Sequence, residues 1–389
     1  MKRVDIGLVG GGQLGRMMLL EGHRIGLTFA VLDPSSECPA AVMTQELIQA
    51  AFTDAAAIER LADRSRRLTY EFEHIDAGTL MHLASTGCRV MPSPETLHMV
   101  QDKFRQKTFL ASCHLPVPAF RRITSEQDLR EASLIFDFPF LLKSCTGGYD
   151  GKGNALIVNS DGIKDAFLTL GGEGTALMAE EGVDFLMEIS VLAARDEAGR
   201  VELFTVGQNI HRNNILHRTI VPAPLPENVI EEAEHLAKET MRQLKGTGIF
   251  CIEMFVDRRF RLLINEIAPR THNSGHHTIE SCNISQFGQQ LRALMGWPLM
   301  KPVLRRPAVM INLLGDPKGS GYHRLTGIDE AMKFGEVYPH LYGKAESRPG
   351  RKMGHVTILA DTVEEALEIA DKVEGCLKVE VFPEKEAMK

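Results

Sequence analysis

Leu262-Leu-Ile-Asn-Glu-Ile-Ala-Pro-Arg-Thr-His-Asn-Ser-Gly-His276 begins apolar and then turns sharply polar. The run Leu262–Ile264 reads as a buried strand. It delivers Asn265, Glu266, Arg270, His272 and Asn273 to one place. Burying an amide, a carboxylate, a guanidinium and an imidazole together is costly unless something binds there. Just upstream lies Ile249-Phe-Cys-Ile-Glu-Met-Phe-Val256, a second apolar strand carrying one acid, Glu253. Asp257 to Arg261 supplies a turn, so the two strands form a hairpin with Glu253 near Glu266. Close carboxylates repel unless they share a proton or hold a cation. A hard cation such as Mg²⁺ takes oxygen ligands and usually brings phosphates with it. The plainer alternative is two surface acids on a hairpin.

Toward the N-terminus the pattern changes. Residues 4–11 read as a buried strand, followed by Gly10-Gly-Gly-Gln-Leu-Gly15 and a helix from Gln13 to about Arg24. Strands at Thr28–Asp33 and Leu68–Glu73 flank a helix near Thr53–Leu61. Such alternation predicts a parallel sheet with covering helices. The Gly10, Gly12, Gly15 spacing with Asp33 downstream matches a dinucleotide-binding fingerprint. Its amides can equally cradle another phosphate, or mark a tight turn with no ligand. A helix over Pro94–Ala111 and an extended Leu115–Phe120 lead into a mixed α+β unit. Its strands are expected near Phe138–Lys143, Ala155–Val158, Ala176–Glu180, Glu188–Ala194 and Leu203–Gln208. Helices near Glu126–Phe136, Asp161–Leu170 and Val229–Leu244 complete it. Pro298–Pro302 reads as a junction to a small third unit with strands at Ala308–Leu314, His355–Leu359 and Lys378–Val381 and a helix at Thr362–Lys372.

A second phosphate-binding pattern starts where Lys143 ends an apolar strand, because a buried ammonium must find a partner. Thr146-Gly-Gly-Tyr-Asp-Gly-Lys-Gly-Asn154 follows, a glycine-rich loop that exposes amides for phosphate. A plain hairpin turn is the alternative there. Ala179–Val183 reads as a strand entering a short link whose backbone can meet an adenine edge, with Glu188 placed for ribose hydroxyls. Asn209–His217 is polar and follows a strand, and its two histidines are not at helical metal-pair spacing. Arg270, His272, Asn273 and Ser274 suit a small planar anion held by forked hydrogen bonds. Arg348–His355 concentrates cations beside glycine and proline, either a phosphate contact or a solvated loop.

Bulk composition narrows the class. The 389 residues suffice for two or three domains. At 44% hydrophobic and 24% charged the chain is ordinary for a globular protein, and its net charge of −7 disfavours general nucleic-acid binding. No apolar stretch reaches the roughly 18 residues needed to span a bilayer. A strand begins almost at Met1, which does not read as a signal peptide. The seven cysteines are odd in number and lack a C-x-x-C pair, so neither a disulfide framework nor a zinc site is expected, and a reducing cytoplasm is.

Together the segments resemble the ATP-grasp superfamily and, within it, the 5-(carboxyamino)imidazole ribonucleotide synthase family of purine biosynthesis. The strings that carry the resemblance run in order along almost the whole chain. They are Val9–Met17, Tyr70–Glu73, Gln101–Lys103, Thr146–Gly153, Asn209–His211, Asn265–Arg270, His272–His276, Ser285–Phe287 and Arg348–Lys352. The resemblance implies a Rossmann-like parallel-sheet domain over 1–105, an ATP-grasp domain over 106–300 with its lid at about 115–182, and a C-terminal domain over 301–389. It implies ATP-dependent carboxylation of the exocyclic amine of 5-aminoimidazole ribonucleotide with bicarbonate, through carboxyphosphate, giving the carbamate, ADP and phosphate. Lys103 and Lys143 would hold ATP phosphates. The loop Gly148, Tyr149, Asp150, Gly151, Lys152, Gly153, Asn154 would cover them. Glu180, Glu181, Gly182 and Val183 would meet adenine and Glu188 the ribose, with His211 and Asn265 adding contacts. Glu253 and Glu266 would hold Mg²⁺, and Glu266 would also face ATP. Arg270, His272 and Asn273 would hold bicarbonate and act in catalysis. Gln13, Leu14, Glu73, Tyr149, Asp150, Lys152, Lys344, Arg351 and Lys352 would hold the ribonucleotide. A homodimer is expected from the same resemblance. Lys103 and Lys152 stand where arginine is commoner, which loses the bidentate fork. Another ATP-grasp carboxylase or a formate-using transformylase is the nearest alternative. An NAD-dependent oxidoreductase built on Gly10–Gly15 and a non-catalytic nucleotide-binding module are the others.

Overall fold

The computed structural model describes residues 3–148 and 153–382. The N-terminal unit contains β1 (Val4–Val9), α1 (Gln13–His23), β2 (Phe29–Asp33), β3 (Glu46–Gln49), α2 (Ala55–Arg64), β4 (Ser65–Tyr70) and α3 (Ala77–Ser85). The strands lie parallel in the order β3-β2-β1-β4. The chain leaves β1 toward β2 on one side and returns as β4 on the other. The carboxyl ends of β1 and β4 therefore border the crevice where open α/β sheets bind ligands. Gly10–Gly12 and Glu71–Glu73 follow those two ends.

The continuous helix expected over Pro94–Ala111 is two helices, α4 (Pro94–Val100) and α5 (Lys103–Ser112). Asp102 breaks it by capping α5, its carboxylate accepting the Arg105 N–H at 2.9 Å. The break sets Lys103 at the first position of α5. The lid holds β5 (Phe120–Ile123), α6 (Glu126–Ala132), β6 (Phe140–Ser144), β7 (Asn154–Ile157), α7 (Ile163–Thr169) and β8 (Leu177–Glu180). Its antiparallel sheet has the order β5-β8-β6-β7, and β6 and β7 carry the two ends of the glycine-rich loop.

The central elements are β9 (Phe185–Arg195), β10 (Val201–Leu203), β11 (Gly207–Arg212), β12 (Ile215–Val221), α8 (Glu227–Leu244), β13 (Gly248–Asp257), β14 (Leu262–Ala268), α9 (Thr278–Ser281) and α10 (Gln286–Met295). The single strand expected at Leu203–Gln208 is split. Val201–Leu203 pairs on the edge of β9, and the chain then crosses to start β11 on another part of β9. The polar segment Asn209–His217 is itself a hairpin, turning at Asn213 and Asn214 with φ of 51° and 62°. Asparagine tolerates that left-handed region, so polarity here marks a turn between strands.

The last part comprises β15 (Ala308–Leu314), β16 (Tyr322–Thr326), α11 (Ile328–Ala331), β17 (Val337–Leu341), β18 (Lys352–Leu359), α12 (Val363–Cys376) and β19 (Lys378–Phe382). β15 pairs with β12, so one sheet runs β14-β13-β9-β11-β12-β15-β18-β17 across the central and C-terminal parts. One face of its β13–β9 portion is apolar. Ile189, Val191, Ala193, Phe250, Ile252 and Met254 pack there against Val229, Ala233, Leu236, Ala237, Met241 and Leu244 of α8. Those α8 positions fall at helical spacing, which is why an 18-residue helix covers a flat apolar face. Side chains alternate along a strand, so the other face receives Glu188, Ser190, Cys251 and Glu253. No described helix is long and apolar enough to cross a membrane.

Candidate active site

The hairpin read from the sequence forms as expected: Glu253 stands opposite Glu266 in the β13–β14 ladder. The register then skips Asn265, a bulge that frees Asn265 and Glu266 from strict alternation. Burial and the charge of Glu266 push the Glu253 carboxyl up to about 7. Burial also opposes ionisation of Glu266, but Lys103 outweighs it and holds that carboxyl below its ordinary value. The Lys103 Nζ donates to Glu266 Oε2 at 2.9 Å. A pair in which one acid resists ionisation because of the other suits a hard divalent cation, which would remove the repulsion. Cys251 Sγ and His272 Nε2 also approach Glu253, the three donor atoms lying within 4.8 Å of one another. Burial, and then the Glu253 charge, hold the Cys251 thiol pKa well above its ordinary value.

Lys143 reaches the site from β6, fully enclosed. It bonds Glu180 Oε1, while Lys107 Nζ lies 3.0 Å from Glu180 Oε2. Burial resists the Glu180 charge, yet Lys107 and Lys143 together hold its carboxyl below the usual range. Glu180 therefore spends its side chain on two lysines, and only its backbone is open to a base. Lys107 was not singled out in the sequence, although it lies four residues after Lys103 on the same helix. Glu181 and Gly182 are exposed at the start of the link to β9, the Glu181 N–H donating to Ala119 O at 2.9 Å. Val183 follows, half-buried. Glu188 on β9 pairs with His211 Nδ1 at 2.5 Å. Burial lowers the His211 pKa, but Glu188 overcomes it and raises the value. Gly148, Gly153 and Asn154 are the described ends of the glycine-rich loop. Tyr149, Asp150, Gly151 and Lys152 lie outside the described residues.

Beyond β14, Arg270 Nε lies 2.8 Å from Glu73 Oε1, a contact between the central sheet and the N-terminal unit. The His272 Nδ1 accepts the Ser274 N–H at 3.3 Å, which leaves its Nε2–H toward Glu253 Oε1, 3.8 Å away. Burial first, and Arg270 next, drive the His272 pKa well down, so the ring is a neutral donor. Gln286, fully buried, clamps the His272 backbone through both its N–H and its C=O, each at 2.8 Å. Asn273 is nearly closed off: its amide and that of Asn312 exchange hydrogen bonds at 2.9 and 2.7 Å. Only its remaining N–H is left to donate to an anion. Gln286 lies in the Ser285–Phe287 string but with no role assigned to it there, and Asn312 carries no local sequence signal, since each acts through a partner remote in the chain.

At the N-terminal crevice the glycine amides already have acceptors. Glu71 takes the N–H groups of Gly12 and Gly15, the latter at 2.6 Å, and Asp33 takes that of Gly11 at 2.8 Å. A carboxylate thus fills the helix N-terminus where a dinucleotide pyrophosphate would sit, and the Asp33 side chain is spent. This disposes of the nicotinamide reading of Gly10–Gly15. Gln13 opens α1. Leu14, expected among the ribonucleotide contacts, is a core side chain packed with Met17 and Phe287, because the buried stripe of α1 includes it. Only its backbone can meet a ligand. Lys344 Nζ donates to Lys352 O at 2.6 Å over the Tyr342 ring. Burial, then Arg351, lower its pKa to about 7, while the charge of Glu71 acts the other way. Arg351 Nη1 donates to Glu346 O at 2.6 Å, and burial, then Arg348, depress its pKa. The positive charges of Arg348, Arg351 and Lys352 act on Lys344, and an anion bound beside them would offset that repulsion.

Comparison with known proteins agrees with this geometry. Family models match the chain as a ribonucleotide synthetase preATP-grasp domain over residues 1–101, an ATP-grasp domain over 108–287 and a phosphoribosylaminoimidazole carboxylase C-terminal domain over 308–369. The N5-carboxyaminoimidazole ribonucleotide synthase of Bacillus subtilis is 37% identical over 369 residues, covering 94% of each protein. The crystal structure of N5-carboxyaminoimidazole ribonucleotide synthetase from Thermotoga maritima superposes with a TM-score of 0.89 at 41% identity, covering 97% of this chain and 99% of that one. The Aspergillus clavatus synthase, solved with ADP and 5-aminoimidazole ribonucleotide, gives 0.88 at 29% identity over 96% of this chain and 98% of its own. The chain therefore belongs to the N5-carboxyaminoimidazole ribonucleotide synthase family of ATP-grasp ligases.

Proposed function

We propose that this chain is an ATP-dependent carbon–nitrogen ligase that carboxylates the exocyclic amine of 5-aminoimidazole ribonucleotide with bicarbonate. The observation that carries the reading is the Glu253–Glu266 pair with Lys103 and Lys143 on one side and Arg270 and His272 on the other. The first group suits a metal-bound triphosphate and the second a small oxyanion, side by side.

Bicarbonate is a poor electrophile, so it must first be activated. Arg270 and the neutral His272 hold it with one oxygen toward the γ-phosphorus of ATP. That oxygen attacks, ADP leaves, and carboxyphosphate forms. Lys103 and Lys143 offset charge on the phosphoryl group as it moves. Glu253 and Glu266 would hold Mg²⁺, which supplies further positive charge there. Glu188, oriented by His211, accepts from ribose hydroxyls, and the Glu181–Val183 link meets adenine through its backbone. The ribonucleotide amine then attacks the activated carbon from the N-terminal crevice, its own phosphate on Lys344, Arg351 and Lys352; the C–O bond to the phosphoryl group breaks, inorganic phosphate leaves with the proton lost by the amine, and the carbamate remains. Glu73 and Gln13 line that crevice. By the family reading, Tyr149, Asp150 and Lys152 hold the ribonucleotide.

The chain is divided into units 1–105, 106–300 and 301–389, a reading supported by family matches over 1–101, 108–287 and 308–369. Seven unpaired cysteines support a reducing, cytoplasmic setting. A homodimer follows from the family reading alone. The test is ADP release with bicarbonate and the ribonucleotide each supplied and withheld. Turnover requiring both supports the reading. Turnover with formate or another acceptor amine in place of either substrate replaces it with the transformylase or another carboxylase.

A further inference from the structure

Arg270 is held from two directions. Its Nε faces Glu73 Oε1 at 2.8 Å, and its Nη1 donates to the carbonyl of its neighbour Thr271 at 3.1 Å. Its Nη2 has no hydrogen-bond partner among the described residues. Both members of the ion pair are sheltered, their side chains 19% and 18% exposed. Glu73 is itself on a fixed stretch, because the Gln101 amide donates to Glu73 O at 2.7 Å and Ile75 O at 2.8 Å. The competing acid is Glu266, whose charge Arg270 also feels. Without Glu73 the guanidinium has one strong neighbour left, and it swings toward that carboxylate.

We propose that Glu73, from the N-terminal unit, is a positioning residue for the bicarbonate site: its carboxylate, ion-paired with Arg270 on the Nε side, keeps the guanidinium turned so that its Nη groups face the oxyanion rather than Glu266. The inference rests on the proposed function and deepens it. A planar guanidinium drawn to a carboxylate on its Nε side turns its Nη groups the other way, which is what a forked contact to a carbonate oxygen pair requires. Glu73 also borders the crevice for the ribonucleotide. The pair therefore makes the electrophile's site depend on the subunit region that receives the nucleophile, and no anion anchor forms until the two regions are packed together.

The experiment is steady-state ADP release by the full chain, with KM for bicarbonate and KM for the ribonucleotide measured separately. The variants are Glu73→Ala, Glu73→Gln, Arg270→Ala and the double Glu73→Ala/Arg270→Ala. Glu73→Ala is expected to raise the bicarbonate KM about thirtyfold or more, the scale for truncating one partner of a buried charge pair. Glu73→Gln keeps the shape but removes the charge of the ion pair, so it should raise the bicarbonate KM as well; being isosteric, it also carries the test if the alanine variant does not fold. In the Arg270→Ala background, Glu73→Ala should change the bicarbonate KM no further, because residues in one contact are not additive. A Glu73→Ala enzyme with unchanged bicarbonate KM and a raised ribonucleotide KM overturns the proposal, as do additive effects in the double variant. A parent enzyme whose ADP release ignores bicarbonate overturns the proposed function instead, and this inference with it.

Discussion

Glu253 and Glu266 face each other across a ladder and share one electrostatic problem, which Lys103 solves only for Glu266. The Glu266→Gln variant keeps the shape and removes the charge on which both Lys103 and a cation depend. It should lose ATP turnover by at least about a hundredfold while its circular dichroism is unchanged, the scale seen when one preorganised charge is removed. Near-normal turnover would exclude Glu266 from the metal site. Glu253 gives a stability test. Its folded-state pKa is raised to about 7 from the ordinary 4.5. Between those values the folded protein keeps a proton that the unfolded chain has released. Stability therefore falls as pH rises through that window and levels off above it. His272, His276 and His355, buried and neutral, act in the opposite sense as pH falls. Comparing Glu253→Gln with the parent subtracts them. In metal-free buffer the variant should gain in melting temperature relative to the parent between about pH 5 and about pH 7.5. A gap that stays constant across that range would mean the Glu253 carboxyl is not perturbed. The acids and the polar cluster after Ile264 were legible because charged groups interrupt an apolar run. The roles of Lys107, Gln286 and Asn312 were not, because their partners are set by chain crossings that no local pattern records.

Hairpins, caps and links act at the next scale. The hairpin from β13 to β14 could be read from two apolar runs and the turn between them. The bulge at Asn265 could not, since nothing in Ile-Asn-Glu marks which residue the ladder omits. Asp102 ends one helix and starts another, a capping choice hidden inside an otherwise helical stretch. The link from β8 to β9 depends on a close approach. A Cβ on Gly182 would overlap the Pro139 carbonyl oxygen, a backbone atom that cannot rotate away. Gly182→Ala should therefore cost about 1–3 kcal/mol of stability as overpacking. It should also raise the KM for ATP by displacing the Glu181–Val183 backbone from the adenine position. Thermal melts and ATP titrations check both, and an unshifted melting temperature would show that the link moves freely.

One sheet joins the central and C-terminal parts, so residues far apart in sequence build a single site. Asn312 on β15 exchanges two hydrogen bonds with Asn273 and donates a third to Leu216 O at 2.8 Å. Asn312→Ala strands a buried amide and should destabilise the protein by about 1–3 kcal/mol. It should also lower ADP release, with the bicarbonate KM rising because the turn bearing His272 and Asn273 loosens. Asn312→Asp keeps the acceptor but sets a carboxylate oxygen against Leu216 O and Asn273 Oδ1, so it should be no more active than the alanine variant; equal activity in all three proteins would make the pair purely structural. By itself the sequence determined the alternation of strands and helices, the parallel first sheet, the carboxylate hairpin and the family, because periodicity, glycine runs and clustered polar groups are local and survive without a partner. Tertiary structure alone decided that Glu71 and Asp33 fill the glycine loop, that Glu180 serves two lysines, that Leu14 belongs to the core, and that Glu73 holds Arg270. Each of those outcomes is a competition for one donor or one void between groups tens to hundreds of residues apart, and only the packed chain sets which of them arrives.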